Sequence, residues 1–198
     1  MYKPFSEACE RNKAPILEKI TSIFCEKGHA LEIGSGTGQH AVYFAKNMPH
    51  LQWQTSDVKS NHEAIYMWLD DANLKNILPP LELDVSNKVH WPHTQFNYIF
   101  TANTCHIMGW KDVINMFSLI GKIMLSKGNL CVYGPFKYNG EYTSESNKSF
   151  DLHLQSVHAQ MGIRNFEDMQ NLAHEQQLKL ICDYKMPANN QLLHFQKV

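Results

Sequence analysis

Glycines 34, 36 and 38 follow Glu32 at alternate positions, between the apolar Ala30-Leu31 and the run Gln39-His40-Ala41-Val42-Tyr43-Phe44-Ala45. The pattern reads as a strand end, a glycine-dense turn and the opening of an amphipathic helix. Glycine has no Cβ, so backbone there can bend sharply and come close to a ligand, while the N–H groups opening the helix face the same point. Ser35 belongs to this turn, and Glu32 is expected on the lip of the crevice. Spacing discriminates among cofactors. A dinucleotide fingerprint needs its third glycine at position 39, where glutamine stands, and a phosphate loop needs Gly-Lys-Ser/Thr where Gly38-Gln39-His40 stands. Both patterns fail.

Around this loop the chain alternates strand and helix signals. Residues 14–24 show apolar residues at helical spacing, with Pro15 tolerable in a first turn. Strands are expected at 29–33, 51–55 (ending in Ser56-Asp57), 81–84, 96–101 and 129–133; helices at 37–47, 61–69 and 111–125. A long polar loop then leads to helical stretches at 149–160 and 165–175. The last two strands, 179–185 and 191–197, are joined by too few residues for a crossover helix, so they must pair antiparallel. Five βα units ending in a β-hairpin make an α/β, Rossmann-like doubly wound sheet, mostly parallel, whose ligands bind outside the carboxyl ends of the strands. The turn Pro187-Ala-Asn-Asn190 falls on that same rim.

Bulk properties narrow the class. At 198 residues the chain suits one domain spanning 1–198, with the first helix as a cover; 43% hydrophobic and 19% charged residues are ordinary globular proportions. A formal net charge of -1 offers no global field for nucleic acid. No signal core or membrane span is readable, and a soluble cytoplasmic protein is expected. Cysteines 9, 25, 105, 131 and 182 are odd in number and widely spaced, which argues against a disulfide framework or a zinc ribbon. His90-Trp-Pro-His93 lacks a carboxylate companion, so no metal site is expected.

Acid, any, Gly, any, Gly, any, Gly is the loop pattern of class I S-adenosylmethionine methyltransferases, whose cofactor carries no phosphate. Several segments together resemble one group: Glu10-Arg-Asn-Lys-Ala-Pro-Ile-Leu17, Leu31 to Ala45, Asn103 to Ile107, Tyr133-Gly-Pro-Phe136, Ser146-Asn-Lys-Ser-Phe-Asp151 and Met186-Pro-Ala-Asn-Asn190. The chain is similar over nearly its whole length to the methyltransferase-like 26 family. The resemblance implies S-adenosylmethionine as cofactor, with no metal required.

It also implies roles. Gly34, Gly36 and Gly38 would let backbone meet the methionine and ribose portions, with Glu32 near the amino end. Asp57 would accept both ribose hydroxyls, since its two oxygens suit a vicinal diol, and Asp84 with the N–H of Val85 would meet the adenine. Asn103 and His106, after strand four, are the candidates for orienting and deprotonating the nucleophile, His106 having an ordinary pKa of roughly 6.5. Tyr133 and Phe136 would wall the substrate pocket. Arg11 and Asn12, placed before the first helix, would fold over the cofactor or pair a carboxylate, and Asn189 and Asn190 would reach the same rim. The acceptor is expected to be a small molecule. A binding module retaining the cofactor without turnover is the alternative. A nicotinamide oxidoreductase is disfavoured by Gln39 and by Gly134-Pro135, which break the helical face that a Tyr133-Lys137 pair would need.

Overall fold

A computed structural model describes residues 3–198. In chain order the elements are α1 (Glu7–Ile23), β1 (Gly28–Ile33), α2 (Gln39–Asn47), β2 (Leu51–Asp57), α3 (His62–Ala72), β3 (Ile77–Glu82), β4 (Phe96–Ala102), α4 (Trp110–Ile123) and β5 (Met124–Gly134). They continue with β6 (Phe136–Tyr138), β7 (Glu141–Tyr142), α5 (Glu145–Val157), β8 (Arg164–Asn165), α6 (Phe166–Glu175), β9 (Leu178–Met186) and β10 (Asn190–Lys197). Seven strands form the main sheet in the order β3-β2-β1-β4-β5-β10-β9. β1 to β5 run parallel, and β10 is antiparallel to both β5 and β9. The terminal hairpin therefore inserts its second strand beside β5 and places the 187–190 turn over the carboxyl rim.

Successive residues of each strand feed opposite cores. Ala30, Phe100, Cys131 and Leu192 pack with Ile16 and Ile20 of α1, Phe44 of α2 and Ile65 of α3. Their neighbours Leu31, Ile99, Val132 and Leu193 pack with Phe117 of α4 and Met169 of α6 on the other face. Two apolar faces explain why these strands read as nearly continuous hydrophobic runs.

Several boundaries differ from the expectation. α1 begins at Glu7, capped by Ser6, whose hydroxyl accepts from the Cys9 N–H at 3.3 Å. Pro15 thus lies inside the helix rather than in its first turn, and Arg11 and Asn12 are helical residues rather than a preceding arm. β3 spans 77–82 rather than 81–84, running through Pro79-Pro80. Proline cannot donate to a ladder, but β3 is an edge strand, where that loss is tolerable. The Gln54 amide donates to the Pro79 carbonyl at 2.6 Å and the Thr55 hydroxyl to the Leu78 carbonyl at 2.9 Å, replacing missing backbone bonds. No α-helix joins β3 to β4, only a short turn at Lys88–His90, so the third βα unit is incomplete. The expected polar loop after β5 contains β6 and β7, which with β8 form a second, three-stranded sheet, and α5 starts at 145 rather than 149.

Candidate functional site

A cavity of about 1050 Å³ opens at the carboxyl rim, walled by the first half of α1 on one side and the first half of α5 on the other. It is lined by Gly34, Ser35, Gly36, Asp57, Asp84, Val85, Asn103, His106, Tyr133 and Asn190, together with Arg11 and Asn12. Glu32, Gly38, Phe136 and Asn189 do not line it.

The three loop glycines all have positive φ, but they do different work. At Gly34 (φ +74°) a Cβ would come within 2.6 Å of Thr104 Cγ2, so the absent side chain lets the loop after β1 touch the loop after β4. At Gly36 (φ +57°) a Cβ would meet nothing within 4 Å, leaving backbone bare beside the cavity. Gly38 (φ +89°) precedes α2, and a Cβ there would crowd the backbone of Ile65 at 3.3 Å. Gly38 therefore seats α2 against α3 and, unlike Gly34 and Gly36, does not line the cavity.

Glu32 is also relocated. It is 2% exposed, and its Oε2 accepts from Ser35 Oγ at 3.1 Å and from the Trp53 indole N–H at 3.2 Å. Burial pushes its carboxyl up to about 7, against the pull of those two donors. The acid braces the underside of the glycine loop instead of standing on its lip. Alternation along β1 turns its side chain toward Trp53, inside the sheet's covered face.

Asp57 ends β2 with its carboxylate already held. Oδ2 accepts from the Gly36 N–H at 2.7 Å, and Oδ1 from the Val58 N–H and Asn61 Nδ2, both at 2.8 Å. Two carboxylate oxygens offer about four lone-pair directions, so three donors fix the group while leaving acceptor capacity beside bare backbone. Asp84 accepts from both the N–H and the hydroxyl of Ser86 at 2.8 and 2.7 Å through Oδ1, a turn-forming arrangement that leaves Oδ2. Val85 is buried, and its carbonyl accepts from Trp91 at 3.1 Å.

After β4 the chain turns through Asn103 in a left-handed conformation (φ 60°), its N–H donating to the Tyr133 carbonyl at 2.9 Å. For a non-glycine residue such backbone is held by its surroundings. His106 follows, 6% exposed, its ring edge-on to Phe150 of α5 at 5.2 Å. Burial, helped by the Arg164 guanidinium, pushes its pKa down to about 4. It is a neutral imidazole at neutral pH, not the base poised near 6.5 that the sequence predicted. Arg164 clamps this loop: Nε donates to the Cys105 carbonyl at 2.9 Å, and Nη2 to the carbonyls of Met108 and Gln160.

On α1, Asn12 is buried and its Oδ1 meets His40 Nε2 at 2.6 Å, while Cys9 Sγ lies 3.9 Å from His40 Nδ1. Burial holds His40 neutral with a pKa of about 4, so its Nε2–H donates to Asn12. Burial raises the pKa of the nearby Tyr133 phenol, against a smaller opposing pull from Asn12. Arg11 is largely exposed and lies 3.8 Å from Glu7. Gln39, the residue that spoils the dinucleotide pattern, fastens α1 down: its Oε1 accepts from the Ser6 N–H at 2.5 Å and from Thr37 Oγ1 at 3.0 Å.

Beyond β5 the wall differs from expectation. Phe136 is 1% exposed and packs in the core beside Leu193, so Pro135 reaches the cavity instead. β6 alternates its residues, and the first points inward. Asn189 is an anchor: its carbonyl accepts from Asn147 Nδ2 at 2.9 Å and its amide donates to Ser146 Oγ at 3.1 Å. Ser146, Asn147 and Phe150 of α5 line the cavity; they belong to the segment Ser146 to Asp151 noted in the sequence, though the helix was expected to begin only at 149. Ser144, which caps α5, was the available signal. Asp151 fixes this wall, fully buried and accepting from the Ile163 N–H at 2.5 Å and the Tyr142 hydroxyl at 2.7 Å. Lys137 lies over the Tyr142 ring and 3.9 Å from Asp151, while Tyr133 belongs to β5, so the two share no helical face.

Residues 3–197 match the family described as "Protein of unknown function (DUF938)". The chain belongs to this family. Solved structures add a fold to the DUF938 assignment. An O-methyltransferase family protein from Burkholderia thailandensis superposes with a TM-score of 0.85 at 12% identity, over 96% of this chain and 57% of that one. An O-methyltransferase family 2 protein from Planctomyces limnophilus, solved with apigenin, gives 0.75 at 14% identity, over 89% and 52%. The O-methyltransferase NcsB1 from neocarzinostatin biosynthesis, solved with S-adenosylmethionine and 2-hydroxy-5-methyl naphthoic acid, gives 0.79 at 12% identity, over 96% and 55%. This DUF938 chain has their α/β fold and spans little more than half of their length. Among the described residues no helix is long and apolar enough to cross a membrane.

Proposed function

We propose that the protein transfers a methyl group from S-adenosylmethionine to a small-molecule acceptor, working as one domain with α1 as its cover. The observation that carries this is the pairing of bare backbone at Gly36 with the carboxylate of Asp57, 2.7 Å away, at the mouth of a cavity of about 1050 Å³. The residues present fit the cofactor's chemistry. Gly36, Asp57, Asp84 and Val85 offer acceptors and donors suited to a ribose and an adenine, and among the described residues the cavity wall carries no lysine to cradle a phosphate. When bound, the cofactor supplies a methyl on a sulfonium already activated for displacement, so the protein's part is positioning and exclusion of water. Asn103, held left-handed, and neutral His106 would orient the nucleophile. His106 can accept a hydrogen bond, but it has no tendency to keep a proton at neutral pH. Similarity to the methyltransferase-like 26 group supports the same reading, and the buried thiols Cys105 and Cys131 suit a reducing, cytoplasmic setting.

Isothermal titration with S-adenosylmethionine and its demethylated product tests the proposal. Saturable binding is expected, and none at millimolar concentration by a folded sample contradicts it. A second reading, a cofactor-binding module without turnover, is favoured by the burial of His106 against Phe150, which makes it a weak base. Labelled methyl transfer into cell extract, with an Asn103→Ala control, separates the two.

A further inference from the structure

Asn147 and Phe150 lie three residues apart on α5 and share the face that lines the cavity. The Asn147 side chain is oriented from outside: Nδ2 donates to Thr143 Oγ1 at 2.8 Å and to the Asn189 carbonyl at 2.9 Å. Both amide hydrogens are thereby used, and Oδ1 is what this 6% exposed side chain can offer the cavity. That oxygen has no partner among the described residues and is open to solvent, free to accept from a bound donor in place of water. Phe150 is a large aromatic left 38% exposed at the cavity wall, edge-on to His106, with Ile107, Met108 and Pro135 completing an apolar surround. The one lysine or arginine among the lining residues is Arg11, on the opposite wall and beside Glu7. Positive charge for a phosphate or carboxylate is not provided at the α5 end.

We propose that Asn147 and Phe150 form a subsite for a flat, apolar molecule that carries a hydroxyl or N–H, received by Asn147 Oδ1 while its ring packs on Phe150. The subsite's existence stands on these contacts alone; that its occupant is the methyl acceptor rests on the methyl-transfer reading.

Three probes of similar size test it on the full chain: 2-naphthol, 2-methoxynaphthalene, which lacks the donor, and trans-2-decalol, which lacks the flat ring. Ligand-observed NMR is expected to rank 2-naphthol tightest, with each of the others about tenfold weaker, as one hydrogen bond or one ring contact warrants. Asn147→Ala should erase the difference between naphthol and its ether, and Phe150→Ala the difference between naphthol and decalol. Equal binding of all three probes by the wild-type chain overturns the proposal without recourse to any variant, as does failure of naphthol to bind at its solubility limit. Retained discrimination in folded Asn147→Ala overturns the role of that residue. S-adenosylhomocysteine titrated into the same samples reports separately. Naphthol discrimination without S-adenosylhomocysteine binding would sink the cofactor reading and leave the subsite standing.

Discussion

Glu32 and two histidines give the fold a pH response whose sign can be worked out group by group. His40 and His106 are buried neutral with pKa values of about 4, against 6.5 for an exposed imidazole. In the interval from 6.5 down to 4 the unfolded chain takes up two protons that the native chain refuses, so their contribution is complete above 6.5 and is lost as pH falls. Glu32 acts oppositely: raised from 4.5 to about 7, it keeps its proton when folded and surrenders it when unfolded. Its contribution is complete below 4.5 and disappears as pH rises through 7. With two protons against one between 4.5 and 6.5, these three groups together contribute a rise of about 1.4 kcal/mol per pH unit, and His194, whose pKa burial also lowers, adds in the same direction. Glu32→Gln keeps an acceptor for Ser35 and Trp53 but removes the opposing proton. The slope should then steepen by about 1.4 kcal/mol per unit, and the decline that Glu32 imposes above 6.5 should vanish. Urea unfolding of both proteins should show the variant losing about 2 kcal/mol more than the wild type between about pH 6.5 and pH 5. All other titrating groups are common to the two and cancel in the difference. A variant that loses no more than the wild type over that interval would refute the placement of a protonated carboxyl beneath the glycine loop.

Other outcomes follow from single contacts. Gly38→Ala forces a side chain into left-handed backbone and against Ile65, and should cost about 1–3 kcal/mol in thermal unfolding while leaving S-adenosylhomocysteine affinity unchanged. Asp57→Asn removes the charge that both the loop and a ribose would use; loss of about 1.5–3 kcal/mol of binding, roughly 10- to 150-fold, is expected by titration calorimetry. Arg164→Met releases the carbonyls of Cys105 and Met108, and should lower stability by about 2–4 kcal/mol and disturb the Asn103 and His106 resonances more than those of Gly36.

What the sequence disclosed was what depends on local spacing. The alternation of apolar strands with amphipathic helices and the short link between β9 and β10 are enough to order the sheet, because chain geometry leaves few alternatives. The glycine loop and the acid ending β2 were legible for the same reason. Side-chain direction was not. Glu32 looks like a rim acid in the sequence, yet strand alternation turns it inward to Trp53, and Phe136 likewise points into the core. Gly38 looks like a third ligand glycine because the need for close approach is the same whether the neighbour is a cofactor or, as here, the backbone of Ile65. Pro15 hid the early start of α1, and Pro79-Pro80 hid most of β3, because a proline argues against regular structure until an edge position or neighbouring side chains absorb the missing donor. The α5 wall was visible in the sequence only as the segment Ser146 to Asp151 and the capping Ser144, because its position over the cavity depends on the tertiary Asn147–Asn189 and Asp151–Ile163 bonds.

If the cofactor's nucleoside lies on the rim beside Gly36 and Asp57, amide chemical shifts in a titration with its thioether product, S-adenosylhomocysteine, test that placement most directly. Saturable shifts are expected at Gly36, Val58, Val85 and Asn103, with Gly38 and Asn189 little moved. Saturation with no shift at Gly36 and Val58, or shifts confined to surfaces away from the carboxyl rim, would contradict it.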